Sequence, residues 1–337
     1  MTVPAERVRD PEWLLHRYDA VGDAFHYVPA NRALRESAVF LTDAQLAGAV
    51  RAPAPVRRQA ALAAAGGQPA PLKLILHSAF CCSTLLARAF EVPGIAHALK
   101  EPVVLNDIAG WRRRGGAPRD VAARLGDALH LLGAALPAGE ALVVKPSNAV
   151  NALAPAMLAL RADARAVLLH APLPTFLASV ASKGLEGRLW VRELYTKLAA
   201  DGLCDLAVEP TDPLRHSDLQ IAALGWLAQH RLFAGLVDRF GSRVRTLDSA
   251  TLLARPADAV GATAGLFDLA IDAPAIAAGP AFTRHSKTGT SFGSGERGAV
   301  HDNARATHGE EIALVERWAM AVAEANGIPL GLPGALL

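Results

Sequence analysis

Five short apolar segments alternate with stretches of helical spacing from residue 72 onward. They lie at residues 72–77, 95–99, 141–145, 164–170 and 243–247. Apolar runs of about four to eight residues bounded by turn residues are typical of buried strands. A succession of strand–helix units predicts a parallel, doubly wound sheet with right-handed crossovers. The pattern therefore indicates an α/β fold with three layers.

The residues before and after these strand–helix units show a less regular spacing of apolar positions. Pro11–Tyr18 and Thr42–Val50 have the spacing of short amphipathic helices. We therefore predict a small helical N-terminal lobe at residues 1–70, packed on a main domain at residues 71–337. Residues 272–307 are rich in Gly, Ser and Thr, which predicts a lid or binding loop before a closing helix, His308–Asn326.

The composition argues against several classes of protein function. The formal net charge is only +2, which argues against a nucleic-acid-binding surface. No apolar run approaches the roughly 20 residues of a membrane helix, and the first residues show no signal-peptide core. We therefore expect a cytoplasmic protein without a membrane partner. The few cysteines, and the spacing of the histidines, do not fit a disulfide framework or a zinc site, so no metal is expected.

The stretch Leu72–Glu91 joins the first of these strands to a helix through small and hydroxyl-bearing residues. Such a loop can hold an anion, because its N–H groups point inward and the helix dipole adds about half a positive charge. Ser83 and Thr84 offer hydroxyl donors; alternatively, one of them only caps the helix. No Gly-Lys pair precedes them, so a nucleoside-triphosphatase loop is not indicated. The candidate anion-binding residues are Ala79, Phe80, Cys81, Cys82, Ser83 and Thr84.

Charged residues follow the later strands at the point where each strand ends. Lys100 and Glu101 follow the second strand, Lys145 the third and His170 the fourth. Carboxyl ends of parallel strands share one edge of a sheet, where open α/β folds bind ligands. Lysine is rare here, with six residues against many arginines, so each one is a candidate. The alternative for Glu101 is a helix N-terminal charge.

The order of these parts resembles the sulfotransferase family that uses 3′-phosphoadenosine 5′-phosphosulfate (PAPS), particularly its divergent bacterial branch. The resemblance covers roughly residues 72–325. The 5′-phosphosulfate loop of the family is similar to AFCCSTLL, with Ser83 and Thr84 on its two hydroxyl positions. The other similar segments are LKEPV at 99–103, VKPS at 144–147, HAPLPTFLAS at 170–179, residues 244–264, and the basic loop Arg284–Arg297.

The resemblance implies a fold of the P-loop/sulfotransferase type and transfer of a sulfuryl group from PAPS to a hydroxyl or amine acceptor. It makes Glu101 the base, and Lys100 or Lys145 a cation at the reacting group. The residues that it suggests for the 3′-phosphate are His170, Ser179, Lys183, Arg284 and Lys287. No metal is implied, unlike in kinase chemistry.

Two departures keep other functions open. Phe80 occupies the position of the family's loop Lys or Arg, and His170 that of an Arg that grips the 3′-phosphate. The alternatives are therefore a non-catalytic nucleotide- or partner-binding protein with this fold, or a phosphotransferase. The expected acceptor is a small molecule or a glycan or peptide hydroxyl. Neither its identity nor the oligomeric state can be inferred from the sequence.

Overall fold

The structure is a computed structural model that describes residues 4–51, 53–283 and 294–337, with side chains from residue 303 onward in the last range. In chain order the strands are β1 (Trp13–Asp19), β2 (Ala24–Pro29), β3 (Ala54–Arg57), β4 (Leu72–His77), β5 (Ala96–Lys100), β6 (Ala141–Lys145), β7 (Arg165–His170) and β8 (Val244–Asp248).

The helices are α1 (Arg32–Ser37), α2 (Arg58–Ala65), α3 (Ser83–Ala89), α4 (Val103–Arg113), α5 (Pro118–Leu131), α6 (Ala154–Leu160), α7 (Leu173–Ala181), α8 (Gly184–Ala200), α9 (Asp218–Phe240), α10 (Ser249–Ala254), α11 (Pro256–Phe267), α12 (Ala273–Ala278), α13 (Pro280–Thr283) and α14 (Ser294–Ala325). Short 3-10 helices link several of them, among them Asn148–Leu153 and Pro213–Arg215.

The central sheet is parallel, is flanked by helices and has the strand order β5-β6-β4-β7-β8. This confirms the predicted α/β fold, and each strand lies within one residue of its predicted position. All residues of β4, β5 and β6 are buried, as expected for parallel strands that are covered on both faces. The strand order reverses at β4, and such a switch point is where doubly wound sheets bind ligands.

The chain forms two compact units. The first unit comprises Met1–Leu76, Thr84–Ala166 and Ala264–Asp272, and it also contains an antiparallel sheet of order β1-β2-β3. The second unit comprises His77–Ser83, Val167–Thr263 and Ala273–Leu337. The proposed domain boundary at residue 70 stays a prediction.

Two of the helices predicted in the first 70 residues are wrong. Residues 13–18 of the predicted first helix belong to β1, which pairs with β2 along its length and is interrupted by a bulge after Leu15. The predicted helix Thr42–Val50 is a set of turns that ends in the 3-10 helix Ala49–Arg51. In the first segment the backbone found partners on β2 that the local pattern does not reveal, since strand preference depends on cross-strand packing.

The predicted lid at residues 272–307 is also wrong for most of its length. Helices α12 and α13 occupy its first part, and α14 begins at Ser294 rather than at His308. The alanine-rich run APAIAA explains α12, because alanine has the highest helix propensity. Residues 284–293 of this prediction lie outside the described residues.

A local capping motif fixes the start of helix α9. Ser217 caps it by accepting the N–H of Gln220, whose side chain in turn accepts the N–H of Ser217. This reciprocal capping box satisfies two donors that would otherwise lack partners, and so it stabilises a start at Asp218. The preceding residues form the short 3-10 helix Pro213–Arg215 instead.

Replacement of Leu74 on β4 should strongly destabilise the protein. Leu74 is fully buried, so Leu74→Ala removes buried methyl groups and leaves a cavity, at a cost of about 2–5 kcal/mol in the free energy of unfolding. The matched control is Leu214→Ala, because that side chain is 83% exposed. Urea unfolding of both variants measures the difference, and equal midpoints would contradict the burial of β4.

Candidate functional site

The loop between β4 and α3 has an unusual backbone. Ala79, Phe80 and Cys82 have φ angles of 73°, 51° and 64°, a region that costs non-glycine residues about 1–2 kcal/mol each. Strain of this kind persists only where surrounding contacts enforce it, and it clusters at functional sites. The loop is therefore a candidate site on its geometry as well as on its sequence.

Hydrogen bonds to the end of β7 hold this loop in place within the second unit. The N–H of Ser78 donates to the carbonyl of Leu169 at 3.1 Å, and Cys81 Sγ donates to the same carbonyl at 3.3 Å. The N–H of Ala171 donates to Ser78 Oγ at 3.4 Å. Within the loop, the N–H of Ala79 donates to Nδ1 of His77. These bonds supply the contacts that the strained backbone requires.

Helix α3 begins at Ser83, as predicted. Ser83 is 7% exposed and Thr84 is 5% exposed. Both hydroxyl groups therefore belong to largely buried side chains at the end of the strained loop. Such a position suits an anion, because the first N–H groups of a helix have no carbonyl partner within the helix.

Phe80 anchors the loop to α7 and α8. Its ring centroid lies 5.7 Å from that of Phe176 and 5.2 Å from that of Trp190, with tilted and edge-on geometry. Pairs of this kind contribute about 0.5–1.5 kcal/mol beyond their buried area. Lys183 Nζ lies 5.9 Å from the centroid of the same ring. Two predicted site residues, Phe80 and Lys183, are thus brought together.

The first unit brings together Glu101 and Lys145. Lys145 Nζ lies 2.5 Å from Glu101 Oε1, and the N–H of Glu101 donates to the carbonyl of Lys145 at 2.6 Å. Glu101 has a φ of 57°, so this carboxylate too is carried by a strained backbone. The Lys145 side chain is 1% exposed and that of Glu101 19%. A nearly buried ammonium group therefore has a carboxylate partner that solvent can reach.

The side chain of Lys100 has different partners from that of its neighbour Glu101. Its ammonium group donates to Glu91 and to the carbonyl of Glu36, the latter at 3.0 Å. Burial lowers the pKa of Lys100, and the attraction of Glu91 opposes that shift. Lys100 is thus engaged by Glu91 rather than by Glu101. Its catalytic role stays a prediction.

His170 ends β7 beside a second histidine. Its ring meets that of His230 edge-on at 5.2 Å, and His230 stacks on Trp226 at 3.4 Å. His170 Nδ1 lies 3.9 Å from Asp248 Oδ2, too far for a hydrogen bond. Burial lowers the pKa of both histidines, so both are neutral in the folded protein near pH 7. His170 therefore carries no positive charge at the end of β7 near pH 7.

The other candidates for phosphate binding are dispersed. The hydroxyl of Ser179, a buried residue on α7, donates to the carbonyl of Thr175 at 2.8 Å. Lys183 lies at the α7–α8 junction, and its residue is exposed. Arg284 and Lys287 lie outside the described residues. Their assignment to the 3′-phosphate stays a prediction.

A cavity of about 470 Å³ opens beside the same junction in the second unit. Its lining is mostly small or polar and consists of Ala181, Ser182, Gly184, Asn303, Ala304, Thr307 and His308. Cavities of this size hold small molecules or parts of cofactors. Asn303, Ala304 and Thr307 belong to the predicted lid or binding loop at residues 272–307, whereas the sequence did not point to the other lining residues.

The sequence analysis also missed the aromatic residues around the candidates. These are Phe176 and Trp190, whose rings contact Phe80, and Phe40, whose ring lies beside Lys145. A signal did exist for Trp226 and His230, because residues four apart share one face of a helix. For Phe40 no local signal exists, since its contact with Lys145 joins distant parts of the chain.

Comparison with known proteins gives only remote likenesses. The chain matches no protein-family model and no curated protein. It is similar to the sulfotransferase domain from the curacin biosynthetic pathway, with a TM-score of 0.41 and 13% identity, over 66% of this chain and 81% of that chain. It is also similar to the sulfotransferase domain from the Synechococcus PCC 7002 olefin synthase, with a TM-score of 0.38 and 13% identity, over 71% of this chain and 90% of that chain. Both scores are low, so these likenesses establish no shared activity.

Two features, a group of metal ligands and a membrane-spanning helix, are assessed only for the residues that the structure describes. Among them, no group of three or more His, Cys, Asp or Glu side chains is placed to hold a metal ion. No helix in that part of the chain combines the length and apolar character that crossing a bilayer requires.

The buried histidines predict a pH-dependent stability. In the unfolded chain they have pKa values of about 6.5, whereas burial lowers the pKa of both in the folded state. Below about pH 6.5 the unfolded state therefore binds more protons than the folded state. The free energy of unfolding should consequently fall as the pH drops from 7 to 5. In His230→Phe, which retains a ring beside Trp226, the fall should be shallower by up to about 1.4 kcal/mol per pH unit.

Urea unfolding across this pH range measures the effect. The matched control is Phe233→Leu, a buried position on the same helix. It should lower stability at every pH without changing the slope. An unchanged slope in His230→Phe would show that this histidine does not contribute.

Proposed function

We propose that the chain is a sulfotransferase-like enzyme that moves a sulfuryl group from PAPS to a hydroxyl or amine acceptor. The observation that carries the proposal is the strained loop 78–82, which leads directly into the buried hydroxyl residues Ser83 and Thr84. Consecutive N–H groups in a turn with left-handed residues form a concave anion site. In this proposal the loop holds the 5′-phosphosulfate end of PAPS.

Glu101 and Lys145 supply acid–base and electrostatic chemistry in this proposal. A positioned base takes the proton of the acceptor, while cations stabilise the charge on the transferring group. The 2.5 Å contact between Glu101 and Lys145 supports an ion pair in which Lys145 holds the carboxylate in a fixed orientation. Lys100, with its partner Glu91, is the second candidate cation.

The opposite end of the donor carries a 3′-phosphate. Ser179, Arg284 and Lys287 are proposed to bind it, with His170 offering a neutral imidazole in place of an arginine. Without that positive charge the 3′-phosphate should bind more weakly, because a charge-assisted hydrogen bond is roughly twice as strong as a neutral one. The proposed acceptor is a small molecule or a glycan or peptide hydroxyl.

A specific observation favours a second function, that of a non-catalytic nucleotide- or partner-binding protein. Phe80 places an aromatic ring, and His170 a neutral ring, where sulfuryl transfer calls for cations. A phosphotransferase is the less favoured alternative, since no lysine precedes Ser83 in the loop.

Calorimetry and a transfer assay separate these functions. A sulfotransferase should bind adenosine 3′,5′-bisphosphate more tightly than magnesium ATP, and a phosphotransferase should do the reverse. Incubation with PAPS and 2-naphthol, a primary alcohol or an amino sugar should give a sulfated product only from an active enzyme. Tight binding of the bisphosphate without product from any of these acceptors would favour the binding protein.

Loss of the Thr84 hydroxyl should weaken nucleotide binding. If the hydroxyl donates to the 5′-phosphate, Thr84→Val removes a charge-assisted hydrogen bond and should cost about 1–3 kcal/mol in calorimetric titration with adenosine 3′,5′-bisphosphate. The matched control is Thr196→Val on α8, where the hydroxyl donates to the backbone carbonyl of Arg192. Equal affinities of both variants would mean that Thr84 only caps the helix.

Glu101→Gln tests the base. The amide retains the shape but cannot take a proton, so turnover should fall by about 10²–10⁴ while bisphosphate affinity barely changes. Stability should also fall, because Lys145 loses the charge of its partner. Turnover is therefore measured per folded enzyme, with Glu193→Gln, from the exposed pair on α8, as the control. Full turnover in Glu101→Gln would mean that Glu101 only fixes the strand end.

A further inference from the structure

The lysines of this chain differ in whether they form an ion pair with a carboxylate. Lys100 pairs with Glu91, Lys145 with Glu101 and Lys197 with Glu193. Lys73 is buried within β4, and Lys287 lies outside the described residues. Within the described part of the chain no carboxylate forms an ion pair with Lys183. Its ammonium group is therefore available to an anion.

The contact of Lys183 with the loop is a cation–π contact. Its Nζ lies 5.9 Å from the centroid of the Phe80 ring, inside the limit of about 6 Å for such an attraction. The Phe80 ring is itself positioned by Phe176 and Trp190. A cation is thus placed against a residue of the strained loop, although residues 78–84 of the sequence contain no cation.

The backbone that carries Lys183 is fixed at the α7–α8 junction. The N–H of Lys183 donates to the carbonyl of Val180 at 3.2 Å, and its carbonyl accepts the N–H of Gly187 at 3.5 Å. A Cβ atom at Gly187 would lie 2.5 Å from the carbonyl oxygen of Val180, so only glycine fits there. The close approach of α7 and α8 therefore fixes the backbone position from which the Lys183 side chain extends.

We propose that Lys183 is a catalytic cation at the 5′ end of the donor, rather than a ligand of its 3′-phosphate. This rests on the proposed function. During transfer the acceptor oxygen bonds to sulfur, and the bond from sulfur to the bridging oxygen of the 5′-phosphate breaks. Both electrons of that bond stay with the phosphate, and the acceptor proton passes to the base. Lys183 stabilises the negative charge that develops on the phosphate.

This role predicts a split between turnover and binding. Lys183→Gln should lower kcat with PAPS by about 10–100-fold, because the stabilisation arises only as the bond breaks. Its affinity for adenosine 3′,5′-bisphosphate should change much less. The matched control is Lys197→Gln, an exposed lysine on α8 that is paired with Glu193, and it should retain full turnover. Equal thermal unfolding of the variants checks that the fold is unchanged.

Restoring a cation on the loop gives a second readout. In the Lys183→Gln protein, Phe80→Lys places an ammonium group on the loop itself and should recover at least part of the lost kcat. A merely structural role of Lys183 predicts no such rescue. The rescue is compared with Phe80→Leu in the same background, which removes the ring without adding charge and should not recover turnover.

The outcomes separate this inference from the proposed function. If the unaltered protein transfers sulfuryl groups and Lys183→Gln is as active as Lys197→Gln, the role of Lys183 is overturned and the function stands. If Lys183→Gln loses bisphosphate affinity but keeps kcat at saturating donor, Lys183 binds the 3′-phosphate instead and the inference is again overturned. If the unaltered protein forms no sulfated product with any of the three acceptors, both are overturned.

Discussion

Burial of β4 along its whole length is the constraint on which much of the structure depends. Even Lys73 and His77 of this strand are buried. A parallel strand covered on both faces can carry few polar groups, so functional side chains collect beyond its end. The chain leaves β4 through loop 78–82 and enters α3 at Ser83. The left-handed backbone of Ala79, Phe80 and Cys82 is the local cost of this tight connection.

A second constraint is the cost of buried charge. An ionised group removed from water needs a partner, because desolvation costs several kcal/mol. Lys100 and Lys145 end neighbouring strands, and each has a carboxylate partner. The buried histidines His170 and His230 meet the same constraint differently, by remaining neutral. Among the lysines that the structure describes, the exposed Lys183 at the α7–α8 junction forms no ion pair with a carboxylate.

Phe80 and His170, the two positions at which the resemblance to sulfotransferases implies cations, share a physical feature. Both are rings that pack well, the first against Phe176 and Trp190 and the second against His230. Packing stabilises these positions, but it provides no charge for a phosphate. A transferase built on this framework has to obtain that charge from residues outside the loop and the end of β7.

The sequence alone was sufficient for the strands of the central sheet and for the start of α3. Burial on both faces produces apolar runs that can be recognised without knowledge of any neighbour, and Ser83 marks the helix start locally. It was not sufficient for β1, for α12 and α13, or for the start of α14. Residues 13–19 form a strand because β2 lies beside them and pairs in turn with β3. In the described parts of residues 272–307, a composition typical of a loop accompanies helices instead.

For the candidate site, the sequence determined which residues follow each strand, whereas the tertiary structure decided their partners. Lys100 and Glu101 are adjacent in the chain, yet one binds Glu91 and the other Lys145. Side chains of successive residues at a strand end point in opposite directions, and their partners lie far away in sequence. No local pattern contains that information, because pairing is decided by the packing of segments that the chain brings together only when it folds.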